Sequence, residues 1–211
     1  MSDKAFKINN VFSDQELNLL AISIKNSPKH HDPEYGRELG KTLNNIGIIH
    51  NKVSSIANSM FETELVLSSI MSCTYSNEFG TPNLPPHFDN AEHGHIINFQ
   101  LDSNTSWDIG LNLDTYPMED NSALLFNANE MAHWRPHKTF NDGEYVTMIF
   151  FRFMETNKDS SSVAHANPIP FHRPDSKGHG PSCSGCKPYQ KPTSNEIIDQ
   201  VYRERYNITN T

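Results

Sequence analysis

His87 and Asp89 stand two residues apart in the stretch PPHFDN, directly behind Pro85 and Pro86. Prolines favour an extended entry and disfavour a helix. In an extended strand, residues i and i+2 project from the same face, so an imidazole and a carboxylate share one space. A second imidazole, His133, follows in MAHWRPH on a separate predicted strand. Two histidines and one carboxylate, with H-x-D supplying two of the three, form the facial ligand set of non-heme Fe(II). Such a set leaves coordination positions open for a bidentate 2-oxo acid and for O2, and the protein then positions and tunes that chemistry. With eleven histidines in the chain, one H-x-D alone carries little weight. The separately placed His133 carries more.

The elements that must hold these residues read as short strands. ELVLSSIMSCTYS, PPHFDN, HIINFQLD, WDIGLNLD, SALLFNAN, MAHWRP and EYVTMIFFRF are rich in β-branched and aromatic residues, with turn clusters such as SNEFGTPN and FNDG between them. No helical pattern intervenes, which argues against a parallel βαβ sheet. Two helices are expected before them. Ser13 and Glu16 form a capping box ahead of Leu17, Leu20 and Ile24, and Val53, Ile56, Ala57 and Met60 recur at helical spacing. The expected fold is mainly β, a jelly roll carrying N-terminal helices and an irregular C-terminal extension. Residues 1–156 form the domain. Residues 157–211 form a Pro-, Gly-, His- and Cys-rich extension, in which Thr193 and Glu196 make a second capping box before a short helix.

Bulk properties bound the function. The chain has 211 residues, a net charge of -8 and 36% hydrophobic residues. That charge argues against general electrostatic binding to nucleic acid, so no nucleic-acid partner is expected. No apolar run reaches a membrane span, the N-terminus lacks a signal-peptide core, and three cysteines do not make a disulfide framework. A cytoplasmic location is the expectation, with no membrane partner. The oligomeric state is open, a homodimer included.

In their order, these segments resemble the Fe(II)/2-oxoglutarate-dependent oxygenases, in particular the prolyl-hydroxylase-like members, over about residues 64–153. CTYSNEFGTPNLPPHFDN is similar to the family's tyrosine-bearing strand and metal pair. SALLFNANEMAHWRPHKTFNDGEYVTMIFFRF is similar to its closing half. The resemblance implies a double-stranded β-helix and Fe(II) bound by His87, Asp89 and His133. It also implies 2-oxoglutarate as cosubstrate and an amino acid, peptide or small-metabolite substrate, oxidised with release of succinate and CO2. Asp89 favours hydroxylation or desaturation over halogenation, because the family's halogenases replace that carboxylate with a small residue. The chain departs from the family where many members carry a basic residue beyond the distal histidine, since NDGEYVT holds none. Arg135, two residues after His133 and so on the same strand face, is the first candidate to grip the 5-carboxylate of 2-oxoglutarate. Arg152, at the end of the last strand, is the second, and Tyr75 is a candidate hydroxyl donor.

Other patterns compete. His93 and His95 form H-x-H, the pair a cupin would use, but IINFQL after them lacks the glutamate that pattern needs. They are expected in a loop at the site's mouth or on the surface. A cupin-like, non-catalytic metal or small-molecule binding domain is the alternative reading of the chain. Asn98, Gln100 and Asn112 could bond substrate or serve structure. In the extension, His179, Cys183 and Cys186 form H-x3-C-x2-C, with His165 or His172 available to complete a set. A structural zinc is favoured there over a redox pair, a disulfide or free thiols. Cys73 is expected to be a small buried hydrophobe.

Overall fold

A computed structural model describes residues 5–40, 43, 46–89, 94–156 and 196–206. The chain runs β1 (Phe6–Asn9), α1 (Asp14–Asn26), β2 (Lys29–Asp32), β3 (Arg37–Gly40), α2 (Gly47–Phe61), β4 (Leu65–Ser76) and β5 (Leu84–His87). It continues through β6 (His95–Ser103), β7 (Ile109–Leu111), β8 (Asp114–Tyr116), β9 (Ser122–Asn127), β10 (His133–Arg135) and β11 (Tyr145–Glu155) to α3 (Glu196–Val201), which ends in a π-helical turn over Tyr202–Tyr206. All strand pairings are antiparallel. The larger sheet has the order β1-β9-β6-β11-β4-β3-β2 and the smaller one β5-β10-β7-β8, the layout of a double-stranded β-helix.

Side-chain alternation divides the apolar residues between two cores. On β11, Val146, Met148 and Phe150 face into the barrel, whereas Ile149, Phe151 and Phe153 face outward under the helices. Both faces are covered, which is why YVTMIFFRF reads as an almost unbroken apolar run. The outer core takes Leu20 and Ile24 from α1 and Ile49, Val53 and Ala57 from α2. Each fully buried aliphatic side chain there stabilises by roughly 1.5–3 kcal/mol. The expected capping box is present at α1, with Ser13 Oγ accepting from the Glu16 N–H and the Glu16 carboxylate accepting from the Ser13 N–H. Among the described residues no helix is long and apolar enough to cross a membrane.

Sequence reading passes over four elements: β1, the β2–β3 hairpin and β8. Each has only three or four residues. The hairpin turns through Pro33–Tyr35 and closes at Gly36, whose φ of 57° suits a residue without Cβ. Pro85 and Pro86 lie on β5, an edge strand of the smaller sheet, where a missing N–H costs no ladder bond.

The outer face of the smaller sheet is closed by the C-terminal helix. Trp134 points away from the barrel on β10 and packs with Val201 and Tyr206. Its ring lies edge-on to Tyr206 with centroids 6.3 Å apart, and its Nε1–H donates to the Asn112 carbonyl at 3.0 Å. Gly110 is its cross-strand partner on β7, and a Cβ there would overlap the indole.

Candidate functional site

His87 ends β5 and His133 begins β10, and the two are direct cross-strand partners. Asp89 follows β5 by two residues, where its N–H donates to the Ala128 carbonyl at 2.9 Å. This brings three side chains to one point, with one ligand atom from each lying within 4.8 Å of the others. The tautomers follow from the partners. A carbonyl oxygen can only accept, so His87 Nδ1–H donates to Pro85 O at 2.8 Å and His133 Nδ1–H to Met131 O at 3.3 Å. Each ring thereby presents the lone pair of Nε2. Those two Nε2 atoms lie 3.8 and 3.6 Å from Asp89 Oδ1. A histidine whose far nitrogen is held by a carbonyl is the arrangement that orients a metal ligand, so the residues fit a divalent metal.

The electrostatics agree with that fit. Desolvation among its neighbours, then the adjacent His133, lowers the His87 pKa to about 4, so its ring is neutral near pH 7. Burial works against the Asp89 charge, yet the neighbouring His133, followed by Arg152 and His87, holds its carboxyl well below the usual range. The His87 side chain is 40% exposed and marks the open side of the site, whereas that of His133 is only 6% exposed.

Deeper in the barrel lies a second polar group. Arg135 is fully buried and donates from Nη1 to the carbonyls of Trp107 and Asp108, and from Nη2 to Met148 Sδ at 3.2 Å. Its guanidinium carbon sits 4.9 Å above the Trp107 ring. No carboxylate lies within ion-pair distance of it among the described residues, and burial lowers its pKa to about 10. Tyr75 packs edge-on against the same tryptophan, with centroids 4.9 Å apart, and burial pushes its hydroxyl up. The Tyr75 hydroxyl accepts from Arg37 Nη1 at 3.4 Å, and Arg37 pairs with Asp32 at 3.0 Å. Arg37, Asp32 and Trp107 escaped the sequence reading. The D-P-x-x-G turn between Asp32 and Arg37 was the available signal, since a hairpin there makes the two residues cross-strand partners.

The other candidates are distributed as follows. Arg152 is inward on β11 at the metal-ligand end, with Nε 3.9 Å from Asp89 Oδ2 and a side chain 18% exposed. Asn98 is inward on β6 and 3% exposed. Gln100 is tied to Ser103 and Asp120, and the Asn112 side chain accepts from the Ala132 N–H, so both hold loops. The expectation for His95 is overturned. It lies on β6 and is buried on the outer face, with its ring 4.5 Å from Phe61 of α2 and Nδ1 3.8 Å from Glu155. Strand parity turns it away from the barrel, so a cupin H-x-H set cannot form there. His93 lies outside the described residues, as do His165, His172, His179, Cys183, Cys186 and Thr193. Cys73 is fully buried, as expected.

No family model matches the sequence, and no curated protein does either. Solved structures do match in fold. SnoN, a non-heme alpha-ketoglutarate-dependent epimerase from nogalamycin biosynthesis, aligns with a TM-score of 0.58 over 72% of this chain and 78% of its own, at 8% identity. HygX from Streptomyces hygroscopicus, with nickel, 2-oxoglutarate and hygromycin B bound, aligns at 0.56 over 72% and 83%, at 9% identity. A prolyl hydroxylase from Trichoplax adhaerens, in complex with a hypoxia inducible factor peptide fragment, aligns at 0.50 over 72% and 84%, at 11% identity. At such identities the likeness establishes the fold, a double-stranded β-helix shared with 2-oxoglutarate-dependent proteins.

Proposed function

We propose that this protein is an Fe(II)- and 2-oxoglutarate-dependent dioxygenase that hydroxylates a C–H bond of an amino acid, peptide or small metabolite and releases succinate and CO2. The observation that carries this reading is the convergence of His87 Nε2, His133 Nε2 and Asp89 Oδ1 inside a double-stranded β-helix. His87, Asp89 and His133 would hold the iron, which when bound supplies the oxygen-activating chemistry that no side chain can.

The chain's own residues have separate tasks. The Pro85 and Met131 carbonyls fix both imidazoles in the tautomer that presents Nε2. Arg135 lies deep in the barrel without a counterion among the described residues, and a charge so placed is costly until an anion meets it. The 5-carboxylate of 2-oxoglutarate is the group that would. Tyr75, whose hydroxyl accepts from Arg37 and whose ring packs on the Trp107 that Arg135 also touches, would add a hydroxyl to the same carboxylate. Trp107, Met148 and Phe140 exclude water around that pair.

The test is an anaerobic titration with Fe(II) followed by addition of 2-oxoglutarate and air. Stoichiometric iron binding at the three-residue site, with succinate formed on aeration, is expected. Iron binding with no succinate under any substrate mixture would leave a binding domain as the better account.

A further inference from the structure

Three arginines face into the barrel among the described residues: Arg37 is paired with Asp32, and the other two, Arg135 and Arg152, belong to different levels. Arg135 makes contact with Met148, and Arg152 lies four residues further along β11 on the same face, ~13 Å of strand away. Arg152 thus stands beside the metal ligands rather than at the deep end, too far along the wall to share the Arg135 carboxylate.

We propose that Arg152 anchors an anionic group of the substrate, so that the molecule oxidised here carries a carboxylate or phosphoryl group close to the reacting carbon. Three observations support this. The Arg152 Nε is buried and donates no hydrogen bond among the described residues, and its Asp89 neighbour at 3.9 Å is beyond hydrogen-bonding range. Beside it on the same inward face is Asn98, whose cross-strand partner is Phe150 and whose buried Oδ1 also lacks a partner among the described residues. One wall at the metal level therefore offers a buried guanidinium Nε and a buried amide oxygen that have no hydrogen bond among the described residues, which together suit an anion and an adjoining N–H or O–H.

The third observation is charge. Arg152 faces Asp89, with Nε 3.9 Å from Oδ2. With a divalent metal and 2-oxoglutarate in place, Asp89 and the two cosubstrate carboxylates offset the metal and Arg135. Arg37 is already matched by Asp32. Arg152 is then the cation left over in a partly desolvated wall. A neutral substrate would leave it so, and an anionic one would not.

This inference rests on the dioxygenase reading, and one experiment separates the two. Protein carrying isotope-labelled arginine is loaded with Zn(II), which is diamagnetic and redox-inert, and the side-chain Nε–H resonances are followed by NMR. The Arg152 signal is assigned by its loss in Arg152→Gln. Adding 2-oxoglutarate should shift Arg135, and a failure at this stage counts against the dioxygenase reading. Propionate or methyl phosphate is then titrated in. The expected result is a saturable shift of Arg152 by one or both anions, with Arg135 unmoved and propionamide without effect. The inference is overturned if propionamide shifts Arg152 as far as the anions do, or if neither anion shifts it. It is equally overturned if Arg152 responds only as Arg135 returns to its cosubstrate-free position, because the anion is then merely displacing 2-oxoglutarate.

Discussion

His87 and His133 are direct cross-strand partners, and their imidazole centroids lie 4.1 Å apart. Two rings so close can both be protonated only at a high cost, which is why His133 contributes to the lowered pKa of His87. Backbone pairing alone has set the spacing of the two imidazoles.

Removal of any one ligand should abolish iron binding at this site. His87→Ala, Asp89→Ala and His133→Ala each take away one of three protein ligands. The expected result is loss of metal-dependent 2-oxoglutarate turnover with the β-rich circular dichroism spectrum retained. Near-normal turnover in a folded variant would mean that the ligand set is assigned wrongly.

Loss of the deep cation should weaken cosubstrate binding selectively. Arg135→Ala is expected to raise the apparent KM for 2-oxoglutarate at least tenfold, because a charge-assisted pair is worth roughly 1.5–3 kcal/mol, about ten- to a hundredfold. Iron affinity, read by equilibrium dialysis, should change little. Tyr75→Phe should raise the same constant by a smaller factor. An unchanged constant in Arg135→Ala, with a raised one in Arg152→Ala, would move the cosubstrate's grip to the end of β11.

Acid should destabilise the metal-free protein before the carboxylates titrate. The folded-state pKa of His87 is about 4, below the ordinary 6.5, so the unfolded chain binds the proton more readily. Its contribution is therefore complete above pH 6.5 and is lost as the pH falls toward 4. Asp89, also depressed, adds a further loss at lower pH. Chemical denaturation across this range should show a pH slope that His87→Gln reduces. An unchanged slope in that variant would show that the ring is not desolvated in solution.

Cys73 should resist alkylation in the native state. It is fully buried on the inward face of β4, and burial pushes its pKa up to about 11, so the thiolate is scarce at pH 8. Iodoacetamide treatment followed by peptide mapping should modify Cys73 only after denaturation.

The C-terminal helix should stabilise the smaller sheet. Trp134→Ala removes a fully buried indole, a change that costs about 3–5 kcal/mol. Tyr206→Ala should cost less, because Val201 still covers the indole, and should red-shift the tryptophan emission. A denaturation midpoint unchanged in both variants would mean that the helix does not dock there in solution.

The three converging side chains could be read from the sequence because their signals are local. A proline pair, an H-x-D and a lone histidine before an apolar strand each declare themselves within a few residues. Seven of the strands were legible for the same reason, through runs such as SALLFNAN. What sequence could not supply was pairing. Arg37 matters through Asp32 and Tyr75, and the latter lies far along the chain. His95 is expected from sequence in a loop or on the surface, and only the parity of β6 turns it toward Phe61. Parity did place Arg135 inward, but it could not reveal that Arg152 stands at the other end of the same chamber.

The two walls of this chamber have different origins. The three converging side chains come from β5, its exit and β10, the small sheet whose back is sealed by Trp134 and the C-terminal helix. Asn98 and Arg152 come from β6 and β11, in the middle of the large sheet. Mutation can therefore rewrite one wall while the other is kept, and under the proposed function a change of substrate need not disturb the three converging side chains. An engineer seeking new chemistry from this chain would diversify positions 98 and 152 first and leave the β5–β10 ribbon untouched.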